Sequence, residues 1–74
     1  MPPRPLTERD HAILAIERQW WRYQSAKERA IREQLDLSAT RYYQILNNLL
    51  DNPAAAQAEP MLVNRLRRKR DQAA

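Results

Sequence analysis

Apolar residues between positions 25 and 51 recur every three or four residues in two separate runs, and this period predicts two helices. We expect the first helix at 26–35 and the second at 39–51. Ser25 and Glu28 have the spacing of a capping box, in which the two side chains bind free backbone N–H groups at the start of a helix. This spacing predicts that the first of the two helices begins at Ser25.

A short interruption separates these two helices. Asp36 is a poor helix former, and Ser38 is placed to cap the second helix. Two helices joined by a turn of about three or four residues form the helix-turn-helix arrangement, whose second helix enters the major groove of DNA. With a further helix before it, the pattern predicts an all-α, trihelical helix-turn-helix domain.

The helix at 39–51 is amphipathic when its residues are placed at 100° intervals. We expect a buried apolar side made of Ala39, Tyr42, Ile45, Leu46, Leu49 and Leu50. The opposite side is polar and comprises Thr40, Arg41, Gln44, Asn47, Asn48 and Asp51, with Tyr43 at the border. Arginine, glutamine and asparagine are the side chains that hydrogen-bond base edges in the major groove. The residues expected to contact bases are Arg41, Gln44, Asn47 and Asn48. The alternative is a solvated polar face without a partner.

A helix that precedes this pair is predicted from Thr7, as N-cap, to about Tyr23. The chain has no phenylalanine, so its two tryptophans are expected to be the largest side chains in the core. We expect Trp20 at the centre of the core and Trp21 half buried at its edge. The alternative role for the tryptophans, stacking on bases, is not needed by a protein that binds duplex DNA. The apolar face of this helix comprises Ala12, Ile13, Leu14, Ile16, Trp20, Trp21 and Tyr23.

The C-terminal third predicts two further helical segments. Asparagine followed by proline is a typical helix start, so a short turn of helix is expected over residues 52–58. Pro60 begins the next helix, in which Leu62 and Leu66 are expected to dock on the three-helix core. No apolar residue follows Leu66 until Ala73, so this helix is expected to leave the body of the protein.

Charge is distributed unevenly along the chain. The net charge is +4; residues 1–59 carry eight basic and eight acidic side chains, whereas residues 60–74 carry five basic and one acidic. A basic block next to a helix-turn-helix is expected to attract phosphate, the alternative being a solvated tail. The residues expected to contact DNA phosphates are Lys27, Arg29, Thr40, Tyr43, Arg65, Arg67, Arg68, Lys69 and Arg70.

Composition places further limits on fold and function. The 74 residues are enough for one small domain, which we divide into a disordered proline-rich arm at 1–6, the helix-turn-helix domain at 7–66 and a basic tail at 67–74. No long apolar run is present, so we expect no membrane span and no signal peptide, and therefore a cytoplasmic protein.

The chain also lacks the residues on which most cofactor sites depend. It has no cysteine, no glycine and a single histidine, His11, which argues against a disulfide framework, a metal site and a phosphate-binding glycine loop. The carboxylates lie on separate polar faces, and none shares a face with a nucleophile and a base. We therefore expect no cofactor, no small-molecule substrate and no enzymatic activity.

Strings of residues spread over most of the chain resemble one protein family. They are Glu17-Arg-Gln-Trp-Trp-Arg-Tyr23, Ala26-Lys-Glu28, Ala30-Ile-Arg-Glu33, Leu37-Ser-Ala-Thr-Arg-Tyr-Tyr-Gln44, Asp51-Asn-Pro53 and Pro60-Met-Leu-Val-Asn-Arg-Leu-Arg-Arg68. From about Thr7 to Arg70 the sequence resembles a family of short actinobacterial proteins catalogued as domain of unknown function 3263. The resemblance implies a lineage and no particular activity.

The residue pattern of the helix-turn-helix is also similar to that of the last region of bacterial sigma factors and of other small bacterial regulators. Those motifs usually carry a small residue in the first helix and glycine in the turn, where this chain has Arg32 and Asp36.

These patterns together predict a DNA-binding transcriptional regulator or accessory factor, with helix 39–51 in the major groove and the basic tail on phosphates. The alternative is a protein-interaction module that binds a component of the transcription machinery or a second copy of itself. In that case Tyr43, Leu50 and Trp21 would form an apolar border that the partner covers. A homodimer is compatible with both hypotheses, because one recognition helix covers only a half-site.

Overall fold

Five helices follow one another in the computed structural model, which describes residues 4–73. They are α1 (Glu8–Arg18), α2 (Gln24–Leu35), α3 (Ala39–Leu50), α4 (Pro53–Ala58) and α5 (Pro60–Ala73). The predicted all-α fold class is confirmed. None of the helices in the described range is long and apolar enough to cross a membrane.

Helix α1 begins where it was predicted but ends earlier. The Thr7 side chain accepts a hydrogen bond from the Asp10 N–H at 3.1 Å, and the Asp10 carboxylate accepts one from the Thr7 N–H at 3.0 Å. The helix ends at Arg18, and Gln19 is already extended. The Trp21 indole N–H then donates to the Ile16 carbonyl at 2.9 Å. This bond satisfies one of the carbonyls that a helix C-terminus leaves free.

The early end of α1 reverses the roles predicted for two aromatic side chains. Trp20, expected at the centre of the core, is 84% exposed, and Tyr23 is 60% exposed. Both prediction errors have the same cause, because residues 19–23 are not helical and no longer follow the apolar face of α1. Trp21 is partly buried against the core, as predicted.

Helix α2 begins one residue before the predicted capping box. Its N-cap is Tyr23, which makes no side-chain cap hydrogen bond. The N–H groups of Ala26 and Lys27 donate to the Tyr23 carbonyl, so Ser25 already lies inside the first turn. The prediction that Ser25 and Glu28 form the cap was therefore wrong.

The turn between α2 and α3 contains the only described residue with a left-handed backbone conformation. Asp36 has φ 55° and ψ 41° at the C-terminus of α2, and its N–H donates to the Arg32 carbonyl at 3.0 Å. Aspartate tolerates this conformation better than most residues, so the turn forms without glycine. The predicted cap of α3 is confirmed, because the Ser38 hydroxyl accepts from the Arg41 N–H at 3.1 Å.

The C-terminal helices fold back onto the other three. The Asn52 side chain accepts from the Ala54 N–H at 3.0 Å and thereby caps α4, as the asparagine–proline pair predicted. Leu62 and Val63 are buried, and Leu66 packs against the core. The expectation that α5 leaves the body of the protein was wrong, because Arg70 near its end is hydrogen-bonded to α3.

The predicted arm at 1–6 lies partly outside the described residues, which begin at Arg4. Within the described part, Leu6 packs against the core, and the Asn52 side-chain amide donates to the Arg4 carbonyl at 3.0 Å.

One apolar core joins all five helices. Its most deeply buried side chains come from α1, α2, α3 and α5, and a small alanine lets α4 approach closely. The fully buried members are Ile13, Leu14, Ile16, Ile31, Tyr42, Leu49, Ala55 and Val63. The side of α3 that was predicted to be apolar supplies Tyr42, Leu46, Leu49 and Leu50 to this core, so its polar side faces outward.

We expect the two tryptophans to differ in their contribution to stability. Trp20→Ala removes an exposed side chain and should change the free energy of unfolding by no more than about 0.5 kcal/mol. Trp21→Ala removes packing and the hydrogen bond to Ile16, and should lower it by about 2 kcal/mol. Urea denaturation of both variants measures the difference. Equal losses would contradict the burial assigned to Trp21.

Candidate nucleic-acid interface

The outer side of α3 carries exposed polar residues. Thr40, Arg41, Gln44 and Asn48 are all exposed, and none of them belongs to the core. The Arg41 guanidinium donates to the Gln44 side-chain oxygen at 3.5 Å, so these two predicted base-contacting residues are neighbours. Both side chains are exposed to solvent.

The fourth predicted base-contacting residue, Asn47, is engaged by α5. Arg70 Nη1 donates to the Asn47 side-chain oxygen at 2.9 Å and to the Asn47 backbone carbonyl at 3.4 Å. The second contact supplies a donor to a carbonyl in the last turn of α3, which is a favourable place for a cation. Asn47 is therefore held at the edge of the exposed side of α3 by a residue from another helix.

Asp51 completes a polar cluster at the C-terminus of α3. Its carboxylate accepts from Arg70 Nη2 at 3.2 Å and lies 3.6 Å from Arg67 Nη2. The hydrogen bond from Arg70 lowers the pKa of Asp51, and the charge of Arg67 acts in the same direction. The carboxylate is thus ionised and neutralises part of the positive charge of Arg67 and Arg70.

The basic residues of α5 are distributed along the flank of α3. Lys69 and Arg70 line a groove beside α3, and Arg67, Arg68 and Arg70 line a neighbouring depression of about 540 Å³. Arg65, also predicted to contact phosphate, is exposed but lines neither surface. The structure therefore places four of the five predicted basic residues of the tail near one another.

The groove beside α3 combines residues from several parts of the chain. It has a volume of about 630 Å³ and runs between α3, the start of α2 and the second half of α5. Thr40, Tyr43, Gln44 and Asn47 line it from α3. Arg41 and Asn48 do not line it and lie on the other part of the exposed side. Two predicted phosphate contacts, Thr40 and Tyr43, are thus brought together with Lys69 and Arg70.

Two cations lie near the opposite end of α3. Arg29, a predicted phosphate contact, and Arg32, which sequence reasoning did not select, line a depression of about 340 Å³ with Ala39 at the start of α3. Arg32 could have been noticed because it follows Arg29 by three residues and so shares its helix face. Cations therefore lie near both ends of α3.

Lys27, predicted to contact phosphate, is instead paired with the carboxylate of Glu17. Its Nζ atom lies 2.8 Å from Glu17 Oε2, and only 13% of its side chain is exposed. It also lies 5.4 Å from the centre of the Tyr43 ring and 6.0 Å from that of Tyr42. Its charge is therefore neutralised within the fold, because a carboxylate buried beside it needs a cation.

That carboxylate belongs to Glu17, a residue to which the sequence analysis gave no role. Glu17 is 8% exposed and accepts a short hydrogen bond from the buried Tyr42 hydroxyl as well as the contact from Lys27. Its position offered a signal, because Leu14 and Trp21, which lie three residues before and four after it, were both predicted to share one apolar helix face. An acid at that position needs a partner inside the fold.

The network shifts the protonation equilibria of its two proton donors. Burial raises the pKa of Tyr42, and the negative charge of Glu17 raises it further. Burial by itself lowers the pKa of Lys27, but the hydrogen bond and charge of Glu17 outweigh this effect, so the pKa lies above its ordinary value. Both groups therefore retain their protons to higher pH than they would in the unfolded chain.

Between Arg4 and Ala73, no three histidine, cysteine or acidic side chains are grouped as a metal site requires.

Comparison with known proteins gives one match. The family described as Protein of unknown function (DUF3263) matches residues 5–74, which is nearly the whole chain. No curated protein and no solved structure matches this chain.

The buried network predicts that Glu17 contributes strongly to stability. Glu17→Gln leaves the Lys27 ammonium without its counter-charge and should lower the free energy of unfolding by about 2–3 kcal/mol. Glu28→Gln removes the same charge from an exposed position of α2 and should change it by less than about 0.5 kcal/mol. Urea denaturation at pH 7 compares the two variants, and similar losses would refute the role of Glu17.

The same network predicts a loss of stability at alkaline pH. The pKa values of Tyr42 and Lys27 are raised above ordinary values of 10.0 and 10.5, so the folded state binds protons that the unfolded state releases. Their contribution should be complete below about pH 10 and decline as the pH rises through the folded-state values. Urea denaturation between pH 7 and 11.5 tests this, and Tyr42→Phe should flatten the decline.

Proposed function

We infer that this chain, which belongs to the family of unknown function DUF3263, is a non-enzymatic protein that binds double-stranded DNA with α3 in the major groove. The observation that carries the proposal is the exposure of Arg41, Gln44 and Asn48 on the side of α3 that faces away from the core. A role as transcriptional regulator or accessory factor, and a cytoplasmic location, follow from this proposal.

With α3 in the major groove, its polar side chains divide into those that are free to contact bases and one that is already bound within the protein. Arg41 can donate two hydrogen bonds to one guanine, and Gln44 and Asn48 can pair with adenine edges. Asn47 is bound to Arg70 and contacts a base only if that hydrogen bond is exchanged. The direct contacts to bases therefore come mainly from Arg41, Gln44 and Asn48.

In this proposal, the cations near both ends of α3 contact phosphates on the two sides of the DNA major groove. Arg29 and Arg32 lie at the N-terminal end of α3, and Arg67, Lys69 and Arg70 lie along its C-terminal flank. Contacts of this kind orient a protein on DNA without selecting its sequence. If about five phosphates are neutralised, the logarithm of the affinity should fall with the logarithm of the salt concentration with a slope of about −4 to −5.

A protein–protein interface is the second candidate function, and the exposure of Trp20 favours it. Trp20 and Met61 are 84% and 85% exposed, and the ion pair between Arg18 and Glu59, at 2.7 Å, links the chain segments that precede them. Large exposed apolar side chains often mark a surface covered by a partner. Sedimentation equilibrium of the wild type and of Trp20→Ser tests this second candidate, because a self-associating surface centred on Trp20 would lose its dimer in the variant.

The DNA proposal predicts that Arg41 contributes to sequence preference. A duplex selected by the full chain from a random pool should bind Arg41→Ala more weakly by about 1–3 kcal/mol, while binding to an unselected duplex changes little. Arg9→Ala, which removes an exposed charge from α1, is the matched control and should leave both affinities nearly unchanged. Fluorescence anisotropy measures the affinities of the wild type and of both variants for each of the two duplexes. A failure of the wild-type chain to enrich any sequence would refute base recognition.

The cluster at the C-terminus of α3 predicts that Asp51 weakens DNA binding. The Asp51 carboxylate forms ion pairs with Arg67 and Arg70. Asp51→Asn should release both arginines and tighten binding to any duplex by about two- to fivefold. The affinity should also depend more steeply on salt concentration. Glu33→Gln makes the same change of charge at an exposed position of α2 and should have less than half this effect. Equal effects would mean that net charge alone controls the affinity.

A further inference from the structure

The groove between α3 and α5 has a floor and walls of different chemistry. Leu46, Leu50 and Leu66 form its apolar floor, and the Tyr43 ring forms part of one wall. Its volume of about 630 Å³ lies within the range of roughly 300–1,000 Å³ that is typical of small-ligand sites. The α3 residues that line it extend from Thr40 to Leu50, a distance of about 15 Å along the helix axis.

Most polar groups along the groove already have partners inside the protein. Tyr43 shares a hydrogen bond of 2.9 Å with Gln24, and Lys27 is paired with Glu17. Asn47 is bound by Arg70. A ligand with many polar groups would therefore find few free donors or acceptors, whereas an apolar ligand body would contact leucine and tyrosine side chains.

Lys69 supplies a cation at the α5 end of the groove. It is exposed, lines the groove, and forms no ion pair with any other residue between positions 4 and 73. Arg70 beside it is paired with Asp51 at 3.2 Å and lies 3.8 Å from Asp71, so Lys69 carries the unpaired positive charge at this end of the groove. The end of the groove is thus complementary to a single negative charge.

We propose that this groove binds a small amphipathic carboxylate, with the apolar chain on the leucine floor and the carboxylate at Lys69. An extended chain of roughly eight carbons is about as long as two helical turns, so it fits within the length of the groove. Charge complementarity selects an anion over a neutral molecule of the same length. This site goes beyond DNA binding and does not depend on it.

The position of the groove connects this ligand with the proposed DNA interface. Thr40 and Gln44 line the groove and also belong to the exposed side of α3. A ligand seated there would lie beside any base contacts of Gln44 and would compete with phosphate for Lys69. If α3 binds DNA, the carboxylate should therefore weaken that binding, which makes the groove an effector site.

Titration of the full chain with octanoate, followed by NMR of the leucine and isoleucine methyl groups, tests the proposal. We expect saturable shifts at Leu46, Leu50 and Leu66, and little change at Ile31, which is buried outside the groove. Octanamide, the neutral analogue, should bind at least about threefold more weakly. Acetate, which lacks the apolar chain, should cause no saturable shift at these leucines.

Two pairs of variants localise the site. Lys69→Gln should weaken octanoate binding by about three- to fivefold. Arg68→Gln, which changes the preceding residue of α5 outside the groove, should not weaken it. Gln44→Trp places an indole in the groove and should abolish binding, whereas Glu33→Trp, exposed on α2, should leave it intact. Methyl spectra of each variant without ligand establish that it is folded.

Three outcomes would overturn the proposal. The first is the absence of saturable shifts up to about 10 mM octanoate, and the second is larger shifts at Ile31, outside the groove, than at the three groove leucines. The third is equal binding of octanoate and octanamide, unaffected by Lys69→Gln. A DNA duplex that shifts the groove leucines when octanoate does not would assign the groove to nucleic acid and would leave the DNA proposal standing.

Discussion

The buried carboxylate of Glu17 is the constraint on which the arrangement of the first three helices depends. It comes from α1, receives a cation from α2 through Lys27 and a hydroxyl from α3 through Tyr42. Removing a carboxylate from water is unfavourable unless its charge is neutralised and its lone pairs are satisfied. Any packing that separates one of the three helices would leave a charge or a hydroxyl unpaired, so apolar contacts alone do not set their orientation. The polar side of α3 faces outward because its apolar side is buried in the core, and the network holds Tyr42 on that buried side.

A second set of charge contacts fixes α5 at both ends. Arg18 of α1 pairs with Glu59 just before α5, and Arg70 near the other end binds Asn47 and Asp51 of α3. Each exposed ion pair contributes little to stability, but the two together define where the basic helix lies. Lys69 and Arg70 are consequently held beside the exposed polar residues of α3. Both the DNA interface and the carboxylate groove that we propose depend on this placement.

Much of the fold could be predicted from local patterns. The apolar period of α3, its Ser38 cap and the Asn52–Pro53 start of α4 follow from interactions within a few residues, and all of them are present in the structure. The end of α1 could not be predicted in this way. Periodicity extends through Tyr23, but the indole of Trp21 turns back to the Ile16 carbonyl, and this contact leaves Trp20 in solvent. Two adjacent tryptophans have the same propensity, and their roles differ only through packing.

For the candidate site, the sequence by itself determined which residues of α3 are polar and outward and where the basic residues lie along the chain. Helical geometry is local, so the exposure of Arg41, Gln44 and Asn48 follows from the spacing of their apolar neighbours. Tertiary structure alone decided that Lys27 is paired with Glu17, that Arg70 engages Asn47 and Asp51, and that α5 forms one wall of a groove. Each of these contacts joins residues from different helices, and a charged side chain has no preference among distant partners until the fold brings one of them within reach.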